Sequence, residues 1–283
     1  MLLDQEHTRP IFRKLNRQLS KLASKPSTDN VHKFRTSSRR VEVLVADLAE
    51  KRTRNDKKLL KLLSRLRKKA GRVRDLDVEV TALRSLKIPQ EPARKSQLMR
   101  TLAEERGKQE KKLIRALDKK AIAEVRKRLK RAAGSLVIAK NTDPLALATQ
   151  RIAELELAPG VVTEEALHRF RIAGKRARYI AETAGSNAEA ERLVEHLNHM
   201  QDAIGDWHDW AQLAERTEKL FGGVQDSALV AALRNVTRAK FRHAVNTLME
   251  TRATLVGKKP ALVTTLGHRP SRQSSAAAAA AVA

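Results

Sequence analysis

Apolar residues recur at intervals of three and four along most of the chain, which is the spacing of the buried face of an α-helix. Only 3% of the 283 residues are aromatic and 11 are glycine, a composition typical of helices rather than of strands and turns. The breaks in the pattern carry proline or glycine, as at Asp143-Pro144 and Gly222-Gly223. We therefore predict an all-α protein with short connections. The pattern predicts about eight helical segments, at 11–22, 31–48, 59–86, 98–137, 145–157, 167–181, 193–220 and 229–255.

The ends of the chain differ from this helical region. From about Gly257 onward the periodicity stops, and residues 258–283 are rich in serine and alanine, so we expect one helical domain over 1–257 followed by a disordered tail. The N-terminus lacks the basic and apolar regions of a signal peptide, and no stretch is apolar enough to cross a membrane. Because the chain also has no cysteine, we expect a cytoplasmic protein.

The chain is strongly basic. It has 58 Lys and Arg residues against 32 Asp and Glu residues, a formal net charge of +26, and a sequence pI near 10.9. Such an excess favours binding to a polyanion through release of its counterions. Charge alone leaves nucleic acid, an anionic membrane and other polyanions as candidate partners.

Two segments of the chain match each other in order. Residues 31–40, with the sequence Val-His-Lys-Phe-Arg followed by Arg39-Arg40, match residues 167–176 at an offset of 136 positions. Residues 71–75 match 205–209 at an offset of 134, and each of these matches begins with glycine and ends with aspartate. Two matches in the same order predict an internal duplication. We expect two pseudo-symmetric antiparallel helical bundles, formed by a first half (about 1–140) and a second half (141–257).

Both copies of the first match predict a helix with a basic face. Arg35 and Arg39 fall within about 60° of His32 on a helical wheel, whereas Phe34 lies on the opposite, apolar side. In the second copy the basic residues His168, Arg171, Lys175 and Arg178 form the same stripe. A single basic stripe is more often a solvated surface than a binding site. Its repetition at one helical phase favours a shared ligand.

The repeated segments resemble the CHAD domain family, α-helical domains named for their histidines. The resemblance rests on residues 31–40, 71–78, 167–179 and 201–209, which lie in family order. It implies a pair of helical bundles and a groove of basic residues that bind inorganic polyphosphate. The sequence departs from the family pattern at Glu42 and Asn198, where basic residues are expected. The predicted polyphosphate-binding residues are His32, Arg35, Arg39, Arg40, Lys68, Arg72, Arg74, His168, Arg169, Arg171, Lys175, Arg176, Arg178 and His208.

Other basic and acidic residues allow more than one interpretation. The stripes Lys61-Arg65-Lys68-Arg72 and Arg234-Arg238-Arg242 could extend the path of the ligand or be ordinary solvated faces. Asp75 and Asp209 each follow a basic residue or histidine, so we expect them to orient a neighbouring side chain rather than to act as catalytic bases.

The sequence gives no indication of catalysis. Phosphoryl-transfer enzymes need a Gly-rich Walker loop or acidic metal ligands, and none of the Gly-Lys pairs is followed by Ser or Thr. The Glu-x-Glu-x-Lys strand of the triphosphatase domains that often accompany CHAD domains is missing too. His196 and His199 are spaced for a shared metal but lack further ligands, so we predict a surface pair. We predict no enzyme activity, no cofactor and no metal.

The function we predict is non-catalytic binding of inorganic polyphosphate, with polyphosphate granules as an expected setting. The main alternative is nonspecific binding of nucleic acid, as in a nucleoid-associated protein. Single-strand binders stack bases on exposed aromatic rings, and here only Tyr179, Trp207 and Trp210 could do so. A third possibility is that basic amphipathic helices bind an anionic membrane or a granule surface.

Overall fold

The computed structural model describes residues 5–139, 142–157, 162–185 and 188–256. Within them the chain forms α-helices and no strand, which confirms the all-α prediction. A π-helical segment, Leu44–Leu48, continues α2, and a short 3₁₀ segment, Glu182–Ala184, follows α7. The α-helices are α1 Gln5–Ser24, α2 Thr28–Val43, α3 Arg54–Ser85, α4 Pro92–Ala116, α5 Lys119–Ser135, α6 Pro144–Ala153, α7 Glu164–Ala181, α8 Ala188–Phe221 and α9 Ala228–Val256.

Side-chain caps explain where several helices begin. The hydroxyl of Thr53 accepts a hydrogen bond from the backbone N–H of Asp56, whose carboxylate accepts one from the N–H of Thr53, and this capping box starts α3. The carboxylate of Asp118 accepts a hydrogen bond of 2.7 Å from the N–H of Ala121 and so starts α5. The prediction of one helical segment over 98–137 is therefore wrong, because the chain breaks at Asp118 into α4 and α5.

Four helices form the centre of the molecule. In the first half α2 packs against α1 and α3, and in the second half α7 packs against α6 and α8. The halves meet where α2 contacts α7 and α3 contacts α8. One continuous cluster of buried apolar residues includes side chains from both halves, among them the fully buried Phe34 and Phe170. The two halves thus share a core, and α2, α3, α7 and α8 surround the junction between them.

Ion pairs also join the two halves. Asp47 lies in the π-helical segment of the first half, and its side chain is only 1% exposed. It accepts hydrogen bonds from Arg151 of α6 at 2.9 Å and from Arg176 of α7 at 2.6 Å. Arg40 of α2 donates a 2.7 Å hydrogen bond to Glu182, just beyond α7. These contacts fix the position of α7 relative to α2.

Two further predictions concern the ends of the chain and its halves. The predicted tail, 258–283, lies outside the described residues. The internal duplication, with the domain bounds drawn from it, stays a prediction. Among the helices that the structure describes, none is both long enough and apolar enough to span a membrane.

Candidate polyanion-binding site

Four cationic side chains meet at the junction of the two halves. Arg35 and Arg39 come from α2, and Arg171 and Lys175 come from α7, in the positions predicted from the two matching segments. Burial lowers the pKa of Arg35, and the positive charges of Arg39 and Arg171 lower it further. The same combination, burial first and neighbouring cations second, lowers the pKa of Arg39. We call these four residues, together with Asp75 and Asp209, the central cluster.

The position of Arg35 depends on a glycine of α3. Its guanidinium donates a 3.2 Å hydrogen bond to the backbone carbonyl of Arg67 and lies directly over Gly71. A Cβ atom at position 71 would collide with Nη1 of Arg35. Gly71 therefore lets this guanidinium approach the backbone of α3 closely, which is a reason for glycine inside a helix where alanine would otherwise be preferred.

Each half contributes one carboxyl group to the central cluster. Burial raises the pKa of Asp209, on α8, to about 6, although the nearby cations Arg171 and Lys175 act in the opposite direction. Its carboxylate lies 3.9 Å from the guanidinium of Arg171. Burial likewise raises the pKa of Asp75, on α3, yet Asp75 keeps contact with solvent. The side chain of Asp75 is surrounded by protein but is still reached by solvent, so it lies on a concave surface.

Lys175 shows how much positive charge is concentrated here. Burial lowers the pKa of its ammonium group from 10.5 to about 7, and Arg171 and Arg39 contribute to the shift. Burial disfavours the charged ammonium by itself, and the two neighbouring guanidinium groups disfavour it further. Two carboxyl groups with raised pKa values do not neutralise four cations, so the central cluster has a net positive charge that an anionic ligand would stabilise.

Three histidines lie around the cluster. Burial lowers the pKa of His208, on α8, to about 4, with Arg171 and His168 adding to the effect. The rings of His168 and His208 have their centroids 6.0 Å apart. Burial also lowers the pKa of His32, on α2, and Arg74 and Arg35 lower it further. His208 is thus neutral at physiological pH and can donate one hydrogen bond without adding charge.

The structure brings most of the predicted residues together. Those in or around the central cluster are His32, Arg35, Arg39, Arg74, His168, Arg171, Lys175 and His208. Lys68 and Arg72 are exposed on α3, and Arg169 is exposed on α7. Arg72 reaches a cavity of about 620 Å³ that Asp75 also lines.

Three other predicted residues are held by ion pairs or amide contacts. Arg176 is bound to Asp47, and Arg40 is bound to Glu182. Arg178 donates a 2.7 Å hydrogen bond to the side-chain oxygen of Asn198 and lies 3.5 Å from Glu182. Arg40 and Arg176 therefore hold the helices in place, and we leave them out of the proposed binding surface.

Arg67, on α3, is a further residue of the site that sequence reasoning missed. It donates hydrogen bonds to Ser38 and to Glu42 of α2, and its charge lowers the pKa of Arg35 and Arg39. The position of Arg67 on the helix gives a signal in the sequence, because it precedes Gly71 by four residues and Arg74 by seven. A comparison of helical phase with Gly71 could therefore have identified Arg67. Glu42, a departure from the family pattern, is the ion-pair partner of this arginine.

One donor in the central cluster has no acceptor. The Nε atom of Arg171 is buried and makes no hydrogen bond with any described residue. Buried donors without partners are costly, and proteins usually avoid them. Pairing this donor would require the side chain of Arg171 to shift, because the Nε atom itself has almost no accessible surface.

Metal binding and base stacking are the two other kinds of chemistry considered for this surface. Within the described residues, no group of three or more His, Asp or Glu side chains is placed to hold a metal ion. His199 lies on α8 with its ring 6.4 Å from that of His243. Tyr179, Trp207 and Trp210 are buried, so these rings are not surfaces on which bases could stack.

Comparison with known proteins agrees with this architecture. The family model of the CHAD domain matches residues 7–218. The chain belongs to the CHAD family. A solved CHAD domain from the plant Ricinus communis is similar, with a TM-score of 0.61 and 17% identity over 88% of this chain and 89% of that one.

A second similar solved structure is PptA from Streptomyces chartreusis. It is similar with a TM-score of 0.57 and 15% identity over 88% of this chain and 98% of that one. At these identities both structures establish the shared fold alone. A search of curated proteins gives no match. The match to the CHAD family spans all of α2, α3 and α7 and most of α8, the helices that build the central cluster.

Proposed function

We propose that this protein binds inorganic polyphosphate at the central cluster and does not transform it. The observation that carries the proposal is the meeting of Arg35 and Arg39 with Arg171 and Lys175, two cations from each half, with too few carboxylates to neutralise them. The polyphosphate binding implied by the CHAD resemblance supports the same ligand.

The spacing of the four cations suits a chain of linked phosphates. Arg35 and Arg39 are one helical turn apart, about 6 Å along α2, and Arg171 and Lys175 are equally spaced on α7. A single phosphate ion could not contact both turns of both helices. A flexible chain with one negative charge per unit could do so, with guanidinium groups binding its oxygens in pairs and Lys175 acting as a point charge.

The aromatic residues favour polyphosphate over single-stranded nucleic acid. Base stacking needs exposed rings, and the three candidates, Tyr179, Trp207 and Trp210, are buried in the core. Phosphate groups are then the part of a nucleic acid that this surface could recognise, so nucleic acid would be a weaker, nonspecific ligand. Polyphosphate granules in the cytoplasm are the setting in which we expect binding to occur.

The proposed lack of catalysis is supported mainly by the sequence. It lacks a Walker loop and the Glu-x-Glu-x-Lys strand of triphosphatases, and its two central carboxyl groups lie among cations. We expect long-chain polyphosphate to keep its length distribution on a gel after prolonged incubation with the protein and Mg²⁺. Progressive shortening at a rate proportional to protein concentration would contradict the non-catalytic role.

The binding proposal is tested with two variants that each replace four basic residues. The first replaces Arg35, Arg39, Arg171 and Lys175 by Gln. The control replaces four exposed lysines of α5 by Gln, namely Lys119, Lys120, Lys127 and Lys130. The control residues are exposed on a helix that packs against α1 and α3. Calorimetric titration with long-chain polyphosphate, alone and with excess duplex DNA, measures the affinity of each protein, and circular dichroism checks folding.

We expect the cluster variant to lose affinity by about a hundredfold or more, since it removes four partly buried charge-assisted contacts. The control should lose no more than about fivefold, because exposed charges contribute little individually. Equal losses in the two variants would refute a localised site. Displacement of polyphosphate by an equal phosphate concentration of DNA would favour nucleic acid as the ligand instead.

A further inference from the structure

The positive charge of the chain is very unevenly divided between the two halves. Residues 1–140 contain 40 of the 58 Lys and Arg residues and 16 of the 32 Asp and Glu residues, so +24 of the net charge of +26 belongs to the first half. The central cluster takes its cations equally from both halves. The excess therefore lies elsewhere on the surface of the first half.

Much of this excess forms a single stripe along α3. Seven exposed basic residues fall within an arc of about 100° on this helix and extend for about 27 Å. None of them makes an ion pair with a carboxylate in the part of the chain that the structure describes. We call these residues the α3 stripe: Arg54, Lys57, Lys58, Lys61, Arg65, Lys68 and Arg72.

The matching helix of the second half has the opposite character. When Gly71 is aligned with Gly205, the Asp75 of α3 falls on the Asp209 of α8, and both carboxyl groups face the central cluster. The seven positions of the α3 stripe then correspond to Ala188, Glu191, Arg192, Glu195, His199, Asp202 and Asp206. Four of these are acidic. The basic stripe is therefore specific to α3, and most of the matching positions on α8 are acidic instead.

A requirement for solubility does not account for this contrast, because either sign of charge keeps a surface solvated. The α3 stripe is also continuous with the site. Its last residue, Arg72, directly follows Gly71, over which Arg35 lies, and it lines the same cavity as Asp75. The stripe thus begins at the edge of the central cluster and leads away from it.

We propose that a polyphosphate chain held at the central cluster leaves it in one direction, along the α3 stripe, and is kept off α8 by the acidic residues there. This inference rests on the proposed function. Short chains would fill the central cluster alone, whereas longer chains would gain contacts with α3. The protein would then prefer long polyphosphate and bind it with a fixed direction of exit.

The test compares ligand lengths in matched variants. Four residues of the stripe, Lys57, Lys58, Lys61 and Arg65, are changed to Gln, and the α5 variant described above again serves as the control of equal charge. Each protein is titrated calorimetrically with tripolyphosphate and with long-chain polyphosphate over a range of salt concentrations. A third variant changes Glu191, Glu195 and Asp202 of α8 to Gln and Asn.

We expect the stripe variant to bind tripolyphosphate within about twofold of the wild type and long-chain polyphosphate about tenfold more weakly. For the long chain, the slope of log Kd against log salt concentration should fall by about 3, as expected for the loss of four phosphate contacts. Neutralising the acidic residues of α8 should strengthen binding of the long chain and leave binding of tripolyphosphate within about twofold of the wild type.

Two results would overturn the inference. One is an equal loss of long-chain affinity in the stripe and α5 variants, and the other is an equal loss for short and long ligands in the stripe variant. Failure of the wild type to bind either ligand would refute the proposed function itself. Because the tripolyphosphate titration of the wild type reports on the central cluster alone, it distinguishes the two failures.

Discussion

The lowered pKa of Lys175 predicts that the proposed binding of polyphosphate depends on pH. In the free protein its ammonium group has a pKa of about 7, because of burial and the nearby Arg171 and Arg39. Arg35 adds to this effect, whereas Asp209 opposes it. A bound phosphate chain would stabilise the protonated form and raise this pKa toward its usual 10.5. Binding should therefore take up a proton whenever Lys175 is neutral in the free protein.

The size of the effect follows from linkage. With a pKa of about 7 in the free protein, Lys175 is about 90% protonated at pH 6 and about 10% protonated at pH 8. The affinity should then fall about tenfold between pH 6 and pH 8 from this residue alone. At pH 7 about half a proton should be taken up per site. Asp209, with a pKa of about 6, acts in the same direction at lower pH, because its protonation removes a negative charge from the cluster.

Calorimetry in two buffers of different ionisation enthalpy measures this uptake directly, since the observed heat changes with the number of protons exchanged. The variant Lys175→Arg is the matched control, because arginine keeps its charge throughout this range. Titration of the ligand's own end groups affects both proteins equally, so the difference between them isolates Lys175. An identical pH dependence in the wild type and Lys175→Arg would refute the reasoning.

Three further predictions concern stability and positioning. Gly71→Ala should stay folded but bind polyphosphate roughly threefold to tenfold more weakly in a calorimetric titration, because the added Cβ displaces Arg35. Gly107→Ala is the control for this titration and should bind normally, because there is open space at that position. Lys175→Met should raise the Tm by about 2–4 °C at pH 7.5, measured by differential scanning fluorimetry without ligand. The Tm should rise because, between pH 7 and 10.5, Lys175 binds more protons in the unfolded chain than in the folded wild type. The wild type is therefore destabilised as pH falls through that window. An unchanged Tm in Lys175→Met would contradict this prediction. Asp47→Asn should cost about 1–3 kcal/mol in urea unfolding, whereas Lys219→Ala, which breaks an exposed pair, should cost less than about 0.5 kcal/mol.

Periodicity predicted the fold class because it reports on local burial. The apolar faces that contain Phe34 and Phe170 are buried as expected. The same signal could not separate α4 from α5, since the apolar spacing continues through the break and neither proline nor glycine marks it. An aspartate is a weak indicator of a helix start by itself, and the hydrogen bond from Ala121 to Asp118 becomes evident only in the structure.

The residues of the central cluster were predictable where helical phase decides their position. Arg35 and Arg39 share a phase with His32, and all three lie in or beside the central cluster. Arg40 and Arg176 follow directly in the same basic motifs, yet each is bound to a carboxylate more than a hundred residues away in the sequence. No local pattern reveals such long-range pairing. The motif therefore placed both arginines among the predicted polyphosphate-binding residues.

The buried carboxylate of Asp47 has a consequence for the order of events during synthesis. Both of its arginine partners, Arg151 and Arg176, belong to the second half, so a ribosome-bound first half lacks the two cations that compensate this carboxylate. The shared apolar core is incomplete at that stage for the same reason. We therefore expect the first half to reach its final packing only after α7 has left the exit tunnel, so that the cationic cluster is assembled only when both halves are present.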